Sequence, residues 1–424
     1  MPDRFDVAIA GAGPAGAQCA RDVAKRGYDV VVLEAEPEAD FPRQSNKSTG
    51  GTFPAMLGSF NVPDEVVMNF TEAVVLESPN DYWKRTQPGA VLDFAAFKRW
   101  LVRDGREHGA TYWFDARVSR PVRDEDDEIV GVRYNGDEEV YADIVVDATG
   151  PAAALAKRVG VSALQREQQA VGIEWEMEGV ELDVAGYADL TDAMMLRLDH
   201  DYAPGGYAWL FHTGGDRAKV GLCYIQNETY HAAAEDARID DYLDAWQADD
   251  PRLENAERLE GRQHRGSAHV QPPGRMSAAN FIAVGDTVPS IDPVWGEGIH
   301  KCLKSGRAAA VTADRCLTGA KDTSEGEMQV YDDLWHRDVA PRADVRLLMT
   351  HLLYYAPNDR YDRFIADMRR LSVDTLASAN DGNPLALARL LHRNDLPLLV
   401  QFLRENWPVV ENALPDALPL PRAD

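Results

Sequence analysis

The sequence predicts an α/β protein of three parts: a parallel-stranded unit opened by a β-α-β repeat, an antiparallel sheet inserted into it, and a helical C-terminal region. Three observations predict this. An apolar strand, a glycine-rich turn and a helix fill the first residues, alternating apolar and polar runs occupy the middle, and apolar spacing turns helical from Glu325 onward. At 424 residues the chain exceeds one compact core, and an apolar content of 45% can furnish more than one.

Phe5 to Ala10 reads as a strand, followed by the turn Gly11-Ala12-Gly13-Pro14-Ala15-Gly16. A helix runs from Ala15 to about Arg26, Gly27 stops it, and Val30 to Leu33 forms a second strand ending at Glu34. Gly11 makes the tight turn, Gly13 lets a pyrophosphate approach, and Gly16 lets the helix pack on the strand. The helix start at Ala15 offers N–H groups and a positive dipole end to phosphate. Glu34 stands where a carboxylate accepts hydrogen bonds from ribose hydroxyls. A chance glycine turn is the bland alternative, but strand, helix and terminal acid in register favour dinucleotide binding.

A second constellation decides between FAD and NAD. Ala142 to Gly150 is a strand ending in Ala-Thr-Gly, and Asn280 to Asp286 is another closing on Gly-Asp. Pro293 to Ile299 then opens a helix that continues to about Ala313. Asp286 can bind ribityl hydroxyls. The segment Gly296, Gly298, Ile299 can aim backbone N–H groups at a flavin pyrimidine edge, where the helix dipole stabilises the charge of a reduced flavin. An ordinary strand-turn-helix is the alternative; both ends together favour FAD.

This whole set resembles the p-hydroxybenzoate hydroxylase-like flavoprotein superfamily. Within it, Pro204 to Phe211, Lys219-Val220-Gly221-Leu222 and Ser305-Gly306-Arg307 resemble the geranylgeranyl reductases, and among these the archaeal enzymes acting on digeranylgeranylglycerophospholipid. The resemblance spans about Asp3 to Ala313. It implies a Rossmann-like FAD-binding domain from residues 1–66, 95–165 and 275–325, a substrate-binding sheet from 67–94 and 166–274, and a helical region over 326–424. It also places the Val118 backbone at the adenine and the loop Phe41 to Pro54 across the isoalloxazine. Ser45 stands where the family carries a cysteine, with Asn46 and Ser48 as backbone contacts. Phe94 stands where the family often has an arginine reaching the pyrophosphate, so Arg43 or Lys47 is expected to supply that charge.

Tyr207, Trp209 and Phe211 sit at period two, so on a strand all three project from one face. Such a row suits the wall of a long apolar cavity, although it also suits a sheet core. Trp295 is expected to face the same space. The resemblance implies that reduced FAD passes a hydride equivalent to an isolated prenyl double bond while the adjacent carbon takes a proton. The aromatic faces then offset developing positive charge. His300 is the candidate proton donor.

Other readings stay open at this stage: reduction of geranylgeranyl diphosphate or a quinone side chain, a flavin monooxygenase or halogenase, and a non-enzymatic prenyl carrier. The expected partners are a prenylated ether lipid and an electron donor, ferredoxin or NAD(P)H. The C-terminal helices, notably Arg346 to Tyr355 and Leu385 to Leu403, are read first as the packed core of a small helical region, with a cap over the site or a membrane surface as alternatives.

Charge excludes one class. Asp and Glu number 70 against 44 Lys and Arg, a net −26, whereas a nucleic-acid binder carries the opposite sign. Such acid-rich chains resemble proteins of extreme halophiles. Cys19, Cys223, Cys302 and Cys316 are widely spaced, so neither a metal site nor a disulfide framework is expected. No apolar run reaches the roughly 18 residues of a membrane span, and the expected location is the cytoplasm, with peripheral contact at the inner membrane face.

Overall fold

A computed structural model describes residues 3–43, 49–226, 237–271 and 273–405. Two eight-stranded sheets organise it. The first runs in the order 277–278, 281–283, 138–147, 4–10, 30–33, 111–113, with a hairpin (118–123 and 129–134) paired to strand 138–147. Strand Arg4–Ala10 lies parallel to both Val30–Leu33 and Glu138–Asp147. Strands covered on both faces are apolar throughout, and Val30 to Leu33 are all buried. The fold class expected from the sequence is the one observed.

The β-α-β repeat forms because its residues leave no other arrangement. Helix Pro14–Ala24 starts with proline at its first turn. Gly11 takes φ +105°, and a Cβ on Gly16 would collide with the Gly11 carbonyl. Against this helix packs the long helix Ile299–Leu317, at a crossing where a Cβ on Gly306 would strike the Ala15 carbonyl.

The second sheet runs 257–269, 169–178, 217–225, 206–214, 193–197, 67–77, 82–92, 51–52. Alternation divides its faces. Ile173, Ala208, Leu210, Val220 and Leu222 pack with Leu243 and Trp246 of helix Ile239–Asp249 on one side. The opposite face looks toward the first sheet.

Local geometry sets three boundaries, one of them against expectation. Strand Thr111–Trp113 ends and Asp115 turns with φ +53° before Val118–Arg123 begins. Helix Phe94–Glu107 starts where it does because Asp93 caps it by accepting from Ala96 N at 2.9 Å. Leu385 to Leu403 is broken: helix Pro384–Leu387 ends, and helix Leu396–Glu405 begins only after Asp395 has capped His392 N at 2.8 Å. Among the described residues no helix is long and apolar enough to cross a membrane.

Candidate functional site

The glycine turn and the Gly285-Asp286 turn lie against each other. A Cβ on Gly285 would come within 2.8 Å of Ala15 Cβ, so residues 270 positions apart in sequence share one contact. Gly13, which caps helix Pro14–Ala24, faces open space, while Gly11 and Gly16 are enclosed. That is the pattern a pyrophosphate needs: close packing behind and room in front.

Glu34 is buried and already engaged. Its Oε2 accepts from Ala12 N at 2.8 Å and its Oε1 from Glu36 N at 3.0 Å, so it pins the glycine turn; each oxygen retains a lone pair for a further donor. Asp147 works in the same way. It accepts from the N–H groups of Thr149, Leu155 and Ala156, which fixes the Ala-Thr-Gly turn as a structural element. Val118 stands at the start of its hairpin strand, paired with Tyr134, two residues beyond the Ala116 N–H that donates to the Glu34 carbonyl. Arg43 is exposed. Ser45, Asn46, Lys47 and Ser48 lie outside the described residues.

Asp286 stands beside Cys302, whose Sγ is 3.8 Å from Oδ1, and burial pushes its carboxyl up to about 6. Gly296 adopts φ +65° and is covered by the Tyr207 hydroxyl, which donates to the Trp295 carbonyl at 3.2 Å. Gly298 caps helix Ile299–Leu317, and Ile299 packs with Met56, Phe60 and Leu303. The residues present fit an FAD. Pro14 of the glycine turn, the Asp286 carboxylate and the start of a nineteen-residue helix line one continuous space.

Tyr207, Trp209 and Phe211 all line that same space, a cavity of about 1010 Å³. Trp209 is 7% exposed, and it lies over Gly221 of the neighbouring strand, where a Cβ would overlap its ring. Phe211 lies against Gly51, and Tyr207 stacks on Tyr354 with centroids 5.9 Å apart. Trp295 lines the cavity too and donates its indole N–H to Asn380 Oδ1 at 2.9 Å.

His300 lines the cavity, but its surroundings disfavour the protonated form that the expected role needs. Its ring meets Phe60 edge-on at 5.8 Å. Burial first, then Lys304, Lys301 and Arg307, pull its imidazolium down to about 4, so the ring is neutral at pH 7. Burial raises the neighbouring Glu297 carboxyl instead; that group accepts from His300 N at 2.8 Å.

The C-terminal helices are also placed differently from the first expectation. Helices Ala343–Tyr354, Asn358–Arg370 and Val373–Asn380 contribute Leu348, Leu352, Leu353, Phe364, Met368 and Leu376 to the cavity wall. They are the cap, and aliphatic side chains dominate it. Sequence reasoning also missed Glu174 and Lys219, two charged groups on the cavity-facing side of the second sheet. Lys219 Nζ donates to the carbonyls of Thr49 (2.7 Å) and Leu92 (3.0 Å), tying its strand to Thr49 and to the end of strand 82–92. Strand pairing puts Glu174 on the face of Trp209, and Lys219 on that of Phe211, a relationship that alternation along one strand does not reveal.

A family model described as lycopene cyclase protein matches residues 6–382. The chain is 62% identical over 407 residues to a digeranylgeranylglycerophospholipid reductase of Haloferax volcanii, covering 96% of this chain and 99% of that one. It is 28% identical over 338 residues to digeranylgeranylglycerophospholipid reductase 2 of Methanopyrus kandleri, covering 79% and 83%. Among solved structures, a geranylgeranyl bacteriochlorophyll reductase-like protein from Thermoplasma acidophilum superposes with TM-score 0.78 at 21% identity, covering 97% of this chain and 99% of that one. The flavin-dependent brominase Bmp2 superposes with TM-score 0.67 at 19% identity, covering 87% and 92%, a likeness of fold.

Proposed function

The chain belongs to the digeranylgeranylglycerophospholipid reductases, within the broader lycopene cyclase protein family, and from that premise we propose that it binds FAD and saturates the geranylgeranyl chains of a digeranylgeranylglycerophospholipid. One observation supports this reading: Pro14 of the glycine turn, Asp286 and the turn Gly296 to Ile299 line the same cavity as the aromatic rings and the aliphatic helices. Bound and reduced, FAD would supply the hydride equivalent. The remaining work belongs to the protein.

Gly11, Gly13, Ala15, Gly16 and Glu34 would hold the adenylate half, with the Val118 backbone at the base. Asp286 would take the ribityl hydroxyls, and the turn Gly296, Gly298, Ile299 the redox-active rings. Tyr207, Trp209, Phe211 and Trp295 would hold the chain with their faces toward the double bond. An isolated alkene offers no carbonyl to polarise, so positive charge must be met by ring faces in a site from which water is excluded. The aliphatic cap does that excluding. A lipid substrate also calls for contact with a membrane surface, and among the described residues no helix is fit to span one.

The test is direct. Purified protein is expected to be yellow. After reduction with dithionite it should convert unsaturated archaeal ether lipid in mass steps of two hydrogens. Supplying ferredoxin or NAD(P)H in turn separates the two donors, and geranylgeranyl diphosphate and a prenylated quinone serve as competing substrates. Lipid recovered unchanged across donors and salt concentrations would overturn the assignment.

A further inference from the structure

Glu174 lies on strand Gln169–Glu178, where Ile173 and Met177 point into the opposite core, so alternation turns its carboxyl toward the cavity that it lines. It is 3% exposed. Oε2 accepts the Trp209 indole N–H at 2.9 Å, whereas Oε1 is buried with no hydrogen-bond partner among the described residues. Native proteins satisfy most buried polar atoms, so an unpartnered carboxyl oxygen beside the aromatic wall invites a use. An indole N–H can only donate, which fixes Oε2 as the acceptor. In the acid form the proton therefore sits on Oε1, the oxygen that Trp209 does not engage.

Resting on the reading of this cavity as a prenyl-reducing site, we propose that Glu174 is a catalytic residue that protonates the double bond through Oε1. The Oε1–H bond breaks, and the π electron pair forms a C–H bond at one alkene carbon. Positive charge falls on the more substituted neighbour, where the Trp209 ring and the new carboxylate both stabilise it. The hydride supplied by the proposed activity closes the second C–H bond, so the chain gains H⁺ and H⁻. Water returns the proton to Glu174 by way of His264, which stands opposite it in the strand register and lies 3.6 Å from Glu176.

E174Q tests this, because glutamine still offers Trp209 an acceptor but holds no acidic proton. Flavin content and lipid binding, read by tryptophan fluorescence, should match the wild type. Reoxidation of the dithionite-reduced flavin by lipid should slow about 100-fold or more, the scale of a lost general acid. E174D should keep part of the rate, with a solvent deuterium isotope effect like that of the wild type. The proposal falls if E174Q reoxidises within about threefold of the wild type, or if E174Q and E174D both lose lipid binding, which would make Glu174 a packing residue. A wild type that binds flavin but leaves the lipid unchanged sinks the functional reading itself; an active wild type with a fast E174Q sinks this proposal alone.

Discussion

Arg346 Nη2 lies 2.6 Å from Asp292 Oδ1, a buried pair that fastens the helical cap to the turn beside the proposed flavin rings. The same carboxylate oxygen accepts from Val294 N and Trp295 N, while Arg346 Nη1 bonds the Asn380 carbonyl. Tyr354 adds a hydrogen bond to the Val294 carbonyl. Cap and turn are therefore one mechanical unit.

Replacing Arg346 by alanine should leave Asp292 buried without its cation. Breaking such a pair costs about 3–5 kcal/mol, and the two backbone donors left on Asp292 place this case at the lower end. R346A is expected to melt at lower temperature and to release flavin faster. R346K should rescue little, because one ammonium cannot reproduce the fork that holds Asp292 and Asn380 together. Thermal denaturation and flavin-release kinetics check both. An R346A protein with unchanged melting and flavin retention would show that the cap is held elsewhere.

Gly221 makes room for the Trp209 ring. A Cβ at 221 would also meet the Ile173 backbone oxygen at 2.5 Å, so the ring itself is the position to change: W209F should fold, keeping an aromatic face on the wall while losing the indole N–H that Glu174 accepts. Flavin content should hold while kcat/KM for lipid drops by about 10-fold or more, a loss on the scale of 1.4 kcal/mol. Equal turnover in W209F and wild type would remove the Trp209 indole from the chemistry.

These relationships differ in how far the chain announces them. The glycine turn was legible because close backbone approach admits few residue types, and the aromatic row because period two on a strand has only two faces. Glu174 was not, since a glutamate in an alternating strand looks like a solvated face until the partner sheet is known. The Arg346–Asp292 pair spans 54 residues, and helical periodicity tells which face of a helix is apolar without telling what covers it. The setting of His300 was not legible either, because its burial, and the nearness of Lys304, Lys301 and Arg307, arise only once the helix has packed.

Asp286 should make the protein's stability depend on pH in the absence of flavin. Its carboxyl is raised by burial from 3.8 to about 6, so the folded state prefers the protonated form. The stabilisation is complete below about pH 4 and is lost as pH rises through about 6; in full it is worth about 3 kcal/mol. D286N should therefore melt higher than wild-type apoprotein at pH 8, with the gap closing toward pH 4. The same variant should bind flavin more weakly, having lost its charged acceptor for ribityl hydroxyls. Melting curves of the two apoproteins from pH 4 to 8 decide the first claim and flavin titration the second. A gap that is constant with pH would remove Asp286 from the titration.

Salt should act on the surface charge far more than on the buried ion pairs. The net charge is −26, and Asp124 to Glu128 stand exposed together at a hairpin tip, so self-repulsion favours the unfolded chain at low ionic strength. Raising salt from 0.1 M to 1 M shortens the screening length from about 10 Å to about 3 Å, which removes most of that repulsion. The competing loss would come from ion pairs, but the strongest cluster is sheltered. Arg252 binds Glu77 and Asp250 with side chains 0–4% exposed, and Arg197 joins them through Glu77 and Asp199. Screening barely reaches such buried charges, so the surface effect wins and stability should rise with potassium chloride. Melting temperatures across that range test the balance, and neutralising Asp124, Glu125 and Asp126 to their amides should flatten the slope. A melting temperature that fell with salt would mean that exposed ion pairs, such as Arg369 with Asp81, carry more of the stability than repulsion removes.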